Sequence, residues 1–179
     1  GVVTAKDTAE IELDANGEFV RNLEVDLVKV AVVERHQGTG NVACGFLKGY
    51  GIKEGAVALS IAHDSHNIIV VGVSDEEMEF AVNSLIEQEG GMVLVKEGKV
   101  IESMPMPIAG LMSDQSGEWV DQKLTDIHEK AYEELGICGD VEPVMTLCFM
   151  SLAVIPEIKL TDMGLFDVTT FSFIPVEAE

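Results

Sequence analysis

The chain has 179 residues, of which 47% are hydrophobic and 24% charged, and its 11 basic and 32 acidic side chains give a formal net charge of −21. The length suits one domain, and the hydrophobic content is high enough for a folded core, which argues against disorder. The negative field argues against nucleic acid as a partner, and no uninterrupted apolar run of about 18 residues is present to cross a membrane.

The first residues and the cysteines indicate a compartment. Residues 1–4 lack the basic start and the apolar run of a secretory signal peptide. The three cysteines, Cys44, Cys138 and Cys148, are odd in number and show no C-x-x-C spacing. This pattern is typical of buried free thiols in a reducing environment, so we expect a cytoplasmic protein.

Residues 1–24 are predicted to form a hairpin that belongs to a preceding region. The run 8–13 alternates apolar and polar residues with period two, and Asn16-Gly17 is a dipeptide typical of a tight turn. We expect residues 25–179 to form the main domain.

Three apolar runs predict buried strands, and a segment between the first two predicts a helix. The runs cover residues 27–33, 55–61 and 68–73 and are rich in valine and isoleucine. Residues 42–48 are expected to form a short helix that ends at Gly49.

Two amphipathic helices are predicted in the rest of the chain. Ser74, with Glu77 three residues later, matches a capping box, and the helix that follows is expected to end at Gly90. A longer helix is expected at 117–135, where apolar residues recur on one face. The less regular segments are a hairpin at 92–101, a strand or buried helical turn at 144–150, and a short strand at 168–173.

This succession of strands, helices and hairpins predicts the fold class. Strands that alternate with helices indicate an α/β domain, with α+β as the alternative. We expect a single compact domain in which helices and β-hairpins pack on a mixed β-sheet.

A glycine-rich segment invites comparison with nucleotide-binding loops. Gly38-x-Gly40-x-x-x-x-Gly45 follows a strand, but a Rossmann fingerprint needs glycine where Ala43 stands. A P-loop needs lysine after its last glycine, and Phe46 occupies that position. A tight turn that uses glycine for positive φ is therefore the favoured interpretation.

The densest polar cluster lies between two apolar runs and consists of His63, Asp64, Ser65, His66 and Asn67. Five adjacent hydrogen-bonding side chains are costly to bury unpaired, so the cluster is expected at a strand end. One interpretation is a surface that contacts a substrate or another domain. The other is a structural turn in which Asp64 and Ser65 cap backbone amides, and the residues alone do not separate the two.

A second cluster, Glu34-Arg35-His36, follows the strand predicted at 27–33. If the strands before the two clusters are parallel neighbours, both clusters meet at one edge of the sheet. His128 lies beside the apolar stripe of the long helix and is expected to be a surface or half-buried helix residue.

Several hydrolase signatures are missing from the sequence. There is no His-x-Glu with Pro-Cys-x-x-Cys, no His-x-His and no Gly-x-Ser-x-Gly. The histidines number four, and the pair His63 and His66 does not complete a zinc site, which needs at least three protein ligands. We assign no metal ligand and no catalytic residue to this chain.

Four segments together resemble the C-terminal region of bacterial and archaeal adenine deaminases of the amidohydrolase superfamily. They occur in that family's order, and the likeness runs from about residue 25 to the C-terminus. The segments are residues 32–40, 62–68, 107–113 and 156–162.

The resemblance implies a parent enzyme of purine metabolism and purine salvage that hydrolyses adenine to hypoxanthine and ammonia. In that family a divalent metal (manganese, iron or zinc) sits in an N-terminal barrel, so no cofactor is expected in this chain. The implied partners are that barrel, adenine as the parent's substrate and further copies in a homo-oligomer. The two polar clusters are then candidates to shape the mouth of the active site, and a purely structural or oligomerising module, or a small-molecule binding domain, is the alternative.

Overall fold

The computed structural model describes residues 2–178. Its strands are β1 (Glu12–Leu13), β2 (Phe19–Val20), β3 (Leu27–Val33), β4 (Val42–Lys48), β5 (Ala56–Leu59), β6 (Ile68–Gly72), β7 (Gly91–Lys96), β8 (Lys99–Pro105), β9 (Ile158–Thr161), β10 (Gly164–Asp167) and β11 (Ser172–Ile174). Its helices are α1 (Asp75–Glu87), α2 (Gly117–Glu133) and α3 (Pro143–Cys148), the last followed by a 3-10 turn at Phe149–Ser151.

Six strands form the central sheet in the order β4-β3-β6-β5-β7-β8. Each neighbouring pair is antiparallel, as the hairpin connections favour. Two smaller sheets, β1-β2 and β11-β10-β9, are also antiparallel. The predicted class is confirmed, with antiparallel strand pairing that corresponds to the α+β form.

Helices cover both faces of the central sheet. Helix α1 packs through Met78, Ala81 and Leu85 against small and β-branched residues of β5, β6 and β7. Helices α2 and α3 lie on the other face, where Ile127 and Leu147 join the larger core. The strands buried on both faces are therefore the continuous apolar runs of the sequence, while the helices present one stripe each.

The segment 42–48, predicted as a helix, is the edge strand β4, so that prediction is wrong. It pairs with the whole of β3 in register, from Leu27 opposite Lys48 to Val33 opposite Val42. Its burial alternates, which is a period of two rather than of a helix. Gly45 faces the Leu160 side chain, so the missing side chain makes room for packing.

The C-terminal segments also differ in part from expectation. Residues 144–150 are helical, which resolves the alternative left open for them. The strand predicted at 168–173 is wrong for most of its length, because the Asp167 carboxylate accepts hydrogen bonds from the amides of Thr169 and Thr170 and folds a turn there. Strand β11 begins only after that turn.

Two further sequence expectations have mixed outcomes. Ser74 caps α1 by accepting from the amide of Glu77, but the Glu77 carboxylate accepts from the amide of Gly98. All three cysteines are free, yet only Cys148 is buried, so the expectation of buried thiols is wrong for the other two. None of the helices described between residues 2 and 178 has the length and apolar character to span a membrane.

Candidate functional site

The two polar clusters lie together at one edge of the central sheet. Strands β3 and β5 run parallel with β6 between them, so the segments that follow β3 and β5 emerge on the same side. The Nε2 atom of His36 lies 2.6 Å from the carbonyl oxygen of Ser65. The predicted convergence is confirmed, although the two strands are not neighbours. We refer to residues 34–36 and 62–67 as the edge cluster.

Arg35 ties the edge cluster together. Its Nε atom donates to the carbonyl of His66, and its Nη2 atom donates to the carbonyl of Ala109 over 2.8 Å. Gly110 stands against the guanidinium group, since a Cβ at this position would lie 2.9 Å from Nη1 of Arg35. The guanidinium group therefore fixes the positions of two loops that are far apart in sequence.

Asn67 is the buried centre of the edge cluster, with only 4% of its surface exposed. Its Oδ1 atom accepts from the amide of Arg35 over 3.3 Å, and its Nδ2 atom donates to Oδ1 of Asp162 over 3.1 Å. Ser65 accepts from the Asn67 amide over 3.3 Å, as expected for a turn-capping hydroxyl. The Asn67 side chain thus bonds within the domain and joins three loops.

Glu34 organises the loop that leaves β3. Its carboxylate accepts from the amides of Thr39, Gln37 and His36, and these bonds, that of Thr39 above all, lower the pKa of Glu34 from 4.5 to about 2. The group stays ionised at neutral pH and holds the glycine-rich loop in place. That loop connects β3 to β4, so the strand-to-helix setting of a nucleotide-binding loop is not formed there.

His63 and His66 lie side by side, with ring centroids 5.8 Å apart. The His63 ring stacks on Phe149 at 5.0 Å, and its backbone amide donates to the carbonyl of Cys148 over 2.9 Å. The Nδ1 atom of His66 is buried and has no hydrogen-bond partner among residues 2–178. Burial, with help from the charge of His63, lowers the pKa of His66, so its ring is neutral at pH 7 and can donate or accept.

The exposed part of the edge cluster comprises His36, Asp64 and Ser65, with His63 and His66 partly exposed. Asp64 projects into solvent, with 80% of its side chain exposed, and His63 is 40% exposed. Two imidazoles and a carboxylate can exchange hydrogen bonds with a heterocycle or with another protein surface. Such groups can also move protons, but a substrate must lie within hydrogen-bond reach for them to do so.

In the part of the chain that the structure describes, the potential metal-ligating side chains are too scattered to form a metal site. Within residues 2–178 there is no group of three or more His, Cys, Asp or Glu side chains placed to hold a metal ion. The side chains described between residues 2 and 178 do not fit a catalytic metal, which needs about three protein ligands. His128 is half-buried on α2, as predicted, and contacts Glu142 rather than the edge cluster.

Several contributors to this region were not foreseen as site residues. They are Phe149 under His63, Asp162 beside Asn67 and the carbonyl of Ala109 beside Arg35. Ala109 and Asp162 lie in segments 107–113 and 156–162, whose resemblance to a family was the available signal. All four segments that carry the resemblance therefore contribute to one edge of the sheet.

Lys159 lies behind the edge cluster and is 2% exposed. Its Nζ atom donates to the carbonyl of Val2 and the hydroxyl of Thr4, each over 2.8 Å, and to the carbonyl of Phe149 over 3.0 Å. Burial lowers the pKa of Lys159 from 10.5 to about 8. The ammonium group joins the first residues of the chain to the turn that supports His63.

Replacing Lys159 with methionine is expected to change how stability depends on pH. Between about pH 8 and pH 10.5 the unfolded state binds more protons than the folded state at Lys159, so this group makes the folded protein more stable as pH rises. The variant lacks that contribution. Urea unfolding of both proteins at pH 7 and pH 9.5 measures it, and an unchanged difference between the two proteins would contradict the burial argument.

Comparison with known proteins adds family evidence. A family model described as adenine deaminase C-terminal domain matches residues 1–172. Adenine deaminase 2 of Desulfotalea psychrophila is 69% identical over 178 residues, which make up 99% of this chain and 31% of that protein. The adenine deaminases of Ligilactobacillus salivarius and Bacillus subtilis are both 49% identical, over 178 and 160 residues, and are covered for 31% and 28% of their lengths. The chain thus spans about a third of the length of these relatives.

Proposed function

This chain belongs to the adenine deaminase C-terminal domain family, and we propose that it is the C-terminal part of an enzyme that hydrolyses adenine to hypoxanthine and ammonia. The metal-dependent step belongs to the remainder of that enzyme, with manganese, iron or zinc as the metal. The setting is purine salvage in the cytoplasm. The isolated chain is expected to be inactive.

Within that enzyme we assign the edge cluster to the mouth of the active site. The observation that carries this role is the set of solvent-accessible hydrogen-bonding side chains in the edge cluster, His36, His63 and Asp64, with the ring of His66 beside them. Adenine presents both donors and acceptors at its edges, which suits a neutral imidazole.

The negative charge of the chain supports a neutral base as the ligand. Asp64 lies beside the two imidazoles, and the whole chain carries a net charge of −21. This field disfavours phosphorylated nucleotides near the edge cluster, whereas an uncharged base is not repelled. The same field supports the proposal that nucleic acids and anionic membranes are not partners.

Replacing His63 or His66 with alanine in the full-length enzyme is expected to lower kcat/KM for adenine at least about tenfold, the effect of one lost hydrogen bond of about 1.4 kcal/mol. The measurement is steady-state deamination followed by the absorbance change from adenine to hypoxanthine. His128→Ala is the matched control, because it removes the same ring from α2 on a different part of the domain. Unchanged kinetics with unchanged stability in both edge variants would defeat the proposed role.

A structural role is the second candidate. Large apolar side chains are exposed at several positions, among them Val154, Met163 and Phe171. Such groups are typical of surfaces covered by another domain or by a further copy in a homo-oligomer. In this alternative the domain supports the barrel and makes no contact with adenine, and titration calorimetry of the 179-residue chain with adenine separates it from a free-standing binding domain.

A further inference from the structure

A groove of about 370 Å³ adjoins the edge cluster and shares Asp64 and Ser65 with it. Asp64, Ser65 and the Thr161-Asp162-Met163 turn line part of it. Residues 151–154 and Phe173 complete the lining. We call this surface the 151–163 groove.

The walls of the 151–163 groove are apolar and open to solvent. Val154 is 70% exposed, Met163 71% and Phe173 50%. Three large apolar side chains on one concave surface are unfavourable in water, at roughly 25 cal/mol per Å² of apolar area. An isolated exposed apolar residue needs no explanation, but a concave group of them marks a contact surface.

The groove also contains polar groups, one of which has no hydrogen-bond partner among residues 2–178. Ser151 is only 6% exposed, and its hydroxyl has no hydrogen-bond partner among residues 2–178. The carboxylates of Asp64 and Asp162 also line the groove. A fitting partner therefore brings an apolar side chain and a basic group for the carboxylates.

The course of the first residues indicates which partner this is. The amide of Thr4 donates to the carbonyl of Pro156, and the amide of Glu157 donates back to the carbonyl of Thr4. The Thr4 hydroxyl also lies 3.7 Å from the sulfur of Met150. Val2 and Thr4 therefore contact the chain on both sides of residues 151–154, which places this end of the described chain close to the groove.

We propose that the 151–163 groove is the docking surface for the preceding domain of the same polypeptide, with an apolar side chain of that domain seated between Val154 and Met163 and a basic group on Asp64 or Asp162. About two thirds of the length of the curated relatives lies outside this chain, which is ample for such a domain. A second copy is a poor occupant, because two chains of net charge −21 repel one another. The inference rests on the proposed function only in taking the chain as part of a longer enzyme.

The test uses the full-length enzyme with Val154→Asp and Met163→Asp together. Each side chain is exposed in this domain, so the substitutions leave its own core intact, while two carboxylates at an apolar interface oppose docking. We expect the thermal unfolding midpoint of the enzyme to fall by about 5 °C or more, or a single transition to split into two. Hydrogen exchange is expected to rise at residues 151–154.

Ile86→Asp is the matched control, because Ile86 is 56% exposed on α1, on the opposite face of the sheet. It is expected to leave the midpoint and the exchange of the groove unchanged. Variants that unfold like the control overturn the proposal. A fall in oligomer mass without any loss of coupling between the domains also overturns it, since it assigns the groove to a second copy.

This outcome is separable from that of the proposed function. Loss of domain coupling in the groove variants, together with normal turnover in His63→Ala and His66→Ala, leaves the docking surface standing and removes the edge cluster from the active-site mouth. The reverse pattern removes the docking surface and keeps the edge cluster as a substrate contact.

Discussion

Replacing Gly55 with alanine is expected to lower the free energy of unfolding by about 4 kcal/mol, one of the largest effects of any single methyl group in the domain. Gly55 has φ of +68°, and a Cβ there would lie 1.9 Å from the carbonyl oxygen of Val95 and 2.9 Å from Cδ2 of Leu135. The Gly55 carbonyl also accepts from the amide of Val73 over 3.0 Å. The chain therefore cannot relax at this position without disturbing the pairing of β5 with β7.

The loss at Gly55 has two causes, the strain of a positive φ and the clash of the new Cβ with its neighbours. Gly98→Ala separates them. Gly98 has nearly the same φ, +66°, but a Cβ there meets nothing within 4 Å. This control is expected to cost only about 1 to 2 kcal/mol, the strain of a left-handed conformation. Urea unfolding of both variants measures the free energies, and similar losses would contradict the close approach between Gly55 and Val95.

The sequence predicts those elements whose local pattern agrees with their final environment. Helix α1 begins after Ser74 because its hydroxyl accepts a hydrogen bond from the amide of Glu77. These two residues are only three positions apart, so a short stretch of sequence contains the whole signal. Strand β4 was missed because its residues Ala43, Gly45 and Leu47 have no strong strand preference. Its conformation is set by full pairing with β3, which is a tertiary effect that no short window contains.

The candidate site shows the same division between what a local pattern predicts and what tertiary packing decides. The edge cluster was found because polar residues interrupted apolar runs, and burial of unpaired polar groups is costly. Phe149 and Asp162 were not found, since their contacts to His63 and Asn67 span 86 and 95 residues of chain and depend on how α3 and β9 pack. Residue chemistry located the loops, and only the fold showed which other loops they touch.

Asn67→Asp is expected to destabilise the domain by about 3 kcal/mol at pH 7 and to disrupt the edge cluster. The substitution replaces the Nδ2 group that donates to Asp162 with a carboxylate oxygen, and the position is 4% exposed. Two carboxylates then face each other at the 3.1 Å that the amide bond now spans. In the full enzyme, turnover is expected to fall as well, because Arg35 and the His66 loop lose their common anchor.

The loss of stability caused by Asn67→Asp is expected to become smaller as the pH falls. Burial beside a like charge raises the pKa of the introduced carboxyl above its unfolded value of about 3.9, so the folded variant binds the extra proton first. The variant therefore regains stability relative to wild type as the pH falls through that raised pKa, when the protonated carboxyl donates to Asp162.

Two controls isolate the charge effect in Asn67→Asp. Asn67→Ala removes the same hydrogen bonds without adding charge, so its loss is expected to stay constant between pH 7 and pH 4.5. Asn83→Asp adds the same charge on the exposed face of α1, where little change is expected at either pH. Urea unfolding at the two pH values checks all three variants. A loss for Asn67→Asp that stays as large at pH 4.5 would show that Asn67 and Asp162 are not in contact, and the joining of the loops at the edge cluster would then need another explanation.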